Sequence, residues 1–165
     1  MSDIAIRVSR AAVTLFRAAD GLPAAVGALS VSSGINVHPF HPEQVRVTNV
    51  TTDLAEKNMV VRYPLVHVYC ERVTNKLKEK FRRFSGTVRM VAEARVSHIG
   101  LEGIEESSHL LADAVTEVLD SSRGDWANGM YFGGAYEVTY GPVKPGGKNF
   151  IQVTKVCFDV EVSSD

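Results

Sequence analysis

Apolar and charged positions alternate along 88–96. Val88, Met90, Ala92, Ala94 and Val96 stand two apart, with Arg89, Glu93 and Arg95 between them. Successive side chains of a strand point to opposite faces, so this pattern predicts a strand with one face in a core. The stretch 81–98 is read as one long strand. Before it, 64–73 (PLVHVYCERV) is rich in β-branched and aromatic residues, and Pro64 suits the first position of a strand. The intervening TNKLKEK makes the pair a long antiparallel hairpin with a charged tip. Two further strands are expected at 136–141 (YEVTYG) and 150–162 (FIQVTKVCFDVEV). In the second, Val156, Phe158, Val160 and Val162 face one way, and Lys155, Cys157, Asp159 and Glu161 the other. The loop between them, 142–149, reads as a flexible hairpin connection. VRVTNV (45–50) suggests a short strand, and TTDLAEKNMVVRY (51–63) is ambiguous.

Two segments change period. Ile4, Val8, Ala11 and Leu15 recur at helical spacing, with Ser2 or Asp3 as the cap and Gly21 and Pro23 as the stop. In 101–121, Ile104, Leu111, Ala114, Val115 and Val118 share a helix face, and Gly124 is a plausible end. The glycine-rich 124–135 is expected to turn. Residues 21–44 carry Gly21, Gly27, Gly34, Pro23, Pro39 and Pro42 with no period, which predicts a long loop or extended arm. No internal repeat is present. The expectation is one α+β domain over 1–165: an antiparallel sheet of about four strands with helices packed on one face.

Composition narrows the chemistry. The chain has 165 residues, 45% of them hydrophobic, enough for a core of its own. No apolar run approaches the roughly 18 residues a membrane span needs, and the first residues lack the form of a signal peptide. Two cysteines, Cys70 and Cys157, are too few for a disulfide scaffold or a four-thiolate zinc site, which points to a reducing cytoplasm. His38 and His41 are separated by Pro39, and His67, His98 and His109 lie on separate elements, so no metal set is expected. None of the phosphate-cradling or nucleophile motifs appears. No enzyme residue and no cofactor is nominated.

The net charge of -1 conceals a segregation. From Glu71 to Arg89 there are seven bases (Arg72, Lys76, Lys78, Lys80, Arg82, Arg83, Arg89) and two acids (Glu71, Glu79). From Leu101 to Asp125 there are seven acids (Glu102, Glu105, Glu106, Asp113, Glu117, Asp120, Asp125) and one base, Arg123. Acids at the start of a helix also suit its dipole. A solvated tip and a solvated helix face are the plain reading. The functional reading is two complementary surfaces that meet between subunits, in a heterologous contact that can close into a ring. The basic stretch 72–89, with Phe81 and Phe84 interleaved, is also the pattern of a phosphate contact in a nucleic-acid-binding module. As strand residues, both phenylalanines could instead pack inward.

The order of these elements resembles the tail terminator (tail completion) proteins of long-tailed bacteriophages. The likeness runs over about residues 60–163. It is carried by PLVHVY (64–69), KLKEKFRRFSG (76–86), the acidic amphipathic helix, WANGMYFGGAYEVTY (126–140) and the final IQVTKVCFDVEV strand. The 21–44 segment is outside it. The resemblance implies a structural virion protein assembled in the host cytoplasm. It implies a hexameric homo-oligomer ring at the head-proximal end of the tail. Its partners would be the tail tube protein and the head–tail connector, with DNA passing through the lumen unread. Hairpin 74–86 and loop 142–149 would project to neighbours. Another phage neck or tail-tube component is the nearest alternative.

Overall fold

The computed structural model describes residues 3–58 and 61–165, so Ser2 lies outside the described residues. Among the described residues, four α-helices, a short 3-10 turn at Pro42–Gln44 and a seven-stranded mixed sheet make up the fold. The helices are α1 (Ile4–Arg17), α2 (Leu22–Ser33), α3 (Thr52–Asn58) and α4 (Ile104–Ser121). The strands are β1 (Val45–Val47), β2 (Leu65–Asn75), β3 (Phe84–His98), β4 (Gly124–Ala127), β5 (Met130–Tyr140), β6 (Lys144–Gly146) and β7 (Asn149–Ser164). Strand order is β1-β2-β3-β7-β5-β4, with β6 also on β7.

The long strands β2, β3, β7 and β5 form the expected antiparallel slab. The sheet is nevertheless larger than four strands and is not purely antiparallel. Short β1 joins β2 in parallel, Val45 opposite Val66 and Val47 opposite Val68. The glycine-rich 124–135 is not only turn. It forms β4 and the start of β5, reversed at Asn128–Gly129, where Gly129 has φ 77. The connection 142–149 holds β6, which takes up β7 where β5 leaves it.

The predicted arm at 21–44 is contradicted. Its first half is α2, with Pro23 in the first turn and Gly34 closing the helix at φ 73. Only Leu22 and Val26 are buried there, so burial imposed little period on the sequence. Asp3 stands at the N-cap of α1, but in a left-handed conformation and without a capping side-chain bond.

One face of the slab carries the core. Val66, Val68, Val88, Met90, Ala92, Val156, Phe158 and Val160 lie under α1 and α4. Phe158 sits at its centre, edge-on to Phe16 at 6.4 Å and to Phe132 at 5.7 Å, with Trp126 at 6.3 Å. Ser108 of α4 bonds Thr154 of β7 at 2.7 Å, which pins the helix over the strand. Ile104, Leu111, Ala114, Val115 and Val118 are all buried, as the helical spacing predicts.

Candidate functional site

β3 decides the geometry. It spans fifteen residues, roughly 45 Å at about 3.3 Å per residue. The hairpin tip 76–83 precedes its first residue and the turn 99–103 follows its last, so the two lie at opposite ends of the slab. The register adds β7's end and the Asn128–Gly129 turn to the tip end, through Phe84 opposite Ser164 and the bond from Ser163 N–H to Gly129 O. It adds β6 to the other end, through His98 opposite Phe150 and Phe150 opposite Pro145.

The basic residues divide into two groups. Lys78 pairs with Glu161 at 3.7 Å, and Arg82 pairs with Asp165 and, at 3.4 Å, with Glu79. Arg72, Lys76, Lys80 and Arg83 are exposed and have no ion pair among the described residues. Arg72 stands apart from the tip, on β2 opposite Arg89 and just past the irregularity at Glu71. Glu102 is on the turn before α4, Glu105 and Glu106 open the helix, and Asp113 and Glu117 follow along it, all exposed. No basic residue of the first set meets an acidic residue of the second among the described residues.

The phenylalanines part company. Phe84 is buried in the core, while Phe81 is 99% exposed at the tip. At the far end Ile99 is 85% exposed. Sequence reading nominated neither Ile99 nor Leu101. The available signal was two apolar residues in a turn, where alternation has already stopped. It also passed over Glu161 and Asp165, the acids that hold the tip.

The sheet face away from α1 and α4 is polar. Arg89 reaches Glu71 of β2 at 3.0 Å, Glu137 of β5 at 3.4 Å and Asp159 of β7 at 3.8 Å. Towards the 99–103 end the polar groups sink inward. Arg95, 2% exposed, donates to Glu93 Oε1 at 2.7 and 2.9 Å and to the Val50 carbonyl. Tyr69 O–H donates to Glu93 Oε2 at 3.0 Å, and burial, with the charge and hydrogen bond of Glu93 added, raises its pKa. Burial, seconded by Arg95, lowers the pKa of His67 to about 4, and its Nδ1 has no hydrogen-bond partner among the described residues. A cleft of about 770 Å³ opens here over Tyr69, Glu93 and Lys155, walled by 49–53 and by Thr139–Pro145. Its lining carries two cations, Lys144 and Lys155, and two acids, Asp53 and Glu93, so it favours neither sign of ligand.

Burial raises the pKa of both Cys70 and Cys157, opposite to the shift an activated thiol needs. Among the described residues no three His, Cys, Asp or Glu side chains stand together as a metal set. No single helix among them is long and apolar enough to cross a membrane. No protein-family model matches this sequence, and none of the curated proteins matches it.

Proposed function

We propose that this chain is a structural protein that assembles head to tail into a ring, in the manner of the phage tail terminators its sequence resembles. One observation carries the reading. Unpaired Lys76, Lys80 and Arg83 stand with exposed Phe81 at one end of the slab, and Glu102, Glu105 and Glu106 stand with exposed Ile99 and Leu101 at the other, where β6 adds the exposed Lys144. Two unlike patches this far apart cannot meet within one copy. Tip-to-tip pairing would set base against base. Joining one end to the other end of a neighbour is a heterologous contact, and repeating it closes a ring when the rotation allows. In the virion that ring would cap the tail tube, stop its growth and offer a face to the head connector. The polar sheet face mixes acids and bases, as in the Arg89 cluster. It would thus give passing DNA no continuous cationic track to grip.

A second reading has its own observation: Lys76, Lys80 and Arg83 are exposed and unpaired on the hairpin tip that carries the exposed Phe81, as a nucleic-acid contact would need. Light scattering across concentration, with negative-stain images, separates the two. Closed rings with no salt-dependent DNA affinity are the expected result. A monomer whose DNA affinity falls steeply with salt would replace the ring reading with the binding module.

A further inference from the structure

The hairpin tip holds two apolar side chains out in water, Phe81 and, 60% exposed, Leu77. Leu77 has φ 46, a left-handed conformation that bulky residues rarely adopt. Yet the tip is held in shape. Asn75 Oδ1 accepts from the N–H groups of Leu77 and Ser85 at 3.1 and 3.2 Å, and its Nδ2 donates to the Arg83 carbonyl at 3.1 Å. From outside, Lys78 and Arg82 bind the acids of β7's end, and the Ser163 hydroxyl donates to Glu79 at 3.0 Å. Because the turn beneath it is already braced, docking has only the Phe81 side chain to order there. Phe81 can act as an anchor, the kind of residue that dominates interface energies.

We infer that the tip is a preformed knob for a second copy of this chain, seating Phe81 and Leu77 against Ile99 and Leu101 on the turn before α4. The inference rests on the ring reading and names its contact. Charge selects the occupant: the exposed Lys76, Lys80 and Arg83 flank the knob in sequence, and the exposed Glu102, Glu105 and Glu106 follow the seat. Leu101 is 62% exposed beside Ile99, so the seat is apolar with an acidic rim. The contact is small beside the roughly 20–30 residues a side of a stable interface. One contact is therefore weak, and ring closure, which holds each copy at both ends, supplies the rest.

The test uses the full chain. Phe81→Ser should weaken assembly about thirtyfold, the loss of a hot-spot residue, with an unchanged melting temperature. Phe81→Cys and Ile99→Cys variants, mixed and oxidised, should form a disulfide-linked dimer that neither gives alone. If the wild type forms rings while Phe81→Ser assembles equally well and the mixed cysteines do not link, the knob is overturned and the ring reading stands. If the wild type forms no oligomer at any concentration, the ring reading fails and the knob with it.

Discussion

The two ends of the β2–β3 ladder handle their charges in opposite ways. Near the 99–103 end Arg95 and Glu93 lie inside the protein, their atoms engaged by each other, by Tyr69 and by the Val50 carbonyl. At the tip the cations are exposed, and three of them are unpaired. A buried charge is tolerated only when its partner is present, because water no longer solvates it. An exposed charge costs almost nothing to leave alone and contributes little to the fold when paired. The first end therefore bears on stability, while the second leaves stability nearly untouched and is free to serve association.

The sharpest break of that contrast is Arg95→Ala. It leaves Glu93 buried without its cation and should cost about 3–5 kcal/mol, read as a lower urea midpoint. Replacing both partners, Glu93→Leu with Arg95→Leu, should recover most of the loss. A full loss in the double variant would mean that packing, not the uncompensated charge, is responsible.

Next in size is the pH response of His67. Its folded pKa, about 4, lies below its ordinary 6.5 because burial and Arg95 oppose the imidazolium. Between those values the unfolded chain binds a proton that the fold refuses, so stability should fall as pH drops from 6.5 towards 4. Below that the contribution levels off. Urea midpoints measured against pH should show the decline, and His67→Phe should flatten it.

Arg89 tests the intermediate case. Its side chain is 26% exposed and faces three carboxylates. Arg89→Ala should cost about 1 kcal/mol, and the loss should shrink in high salt. Smallest of all, Lys76→Glu with Lys80→Glu and Arg83→Glu should shift stability by no more than about 0.5 kcal/mol. Calorimetry at low concentration, where only the monomer is present, measures that shift apart from assembly.

The same physical division governs what could be read from the chain. β3 and β7 were legible because one face of each is apolar and the pleat makes that visible at every second residue. α4 was legible because it buries a continuous stripe from Ile104 to Leu119. α2 was not, since it buries only two residues and leaves apolar Val31 exposed, so no stripe separates from the rest; its signals were the local ones, Pro23 near its start and Gly34 at its end. β1 and β6 are three residues each, too short to show a period. The oppositely charged segments could be found by counting residues. Which bases are free could not, because Lys78 and Arg82 are answered by Glu161 and Asp165, some eighty positions away in sequence.

The most direct test of head-to-tail assembly is sedimentation velocity across concentration, comparing the wild type with the Lys76→Glu, Lys80→Glu, Arg83→Glu variant. The account predicts a discrete ring-sized species for the wild type and a folded monomer for the variant. Identical distributions for the two proteins, whether both assemble or both remain monomeric, would contradict it.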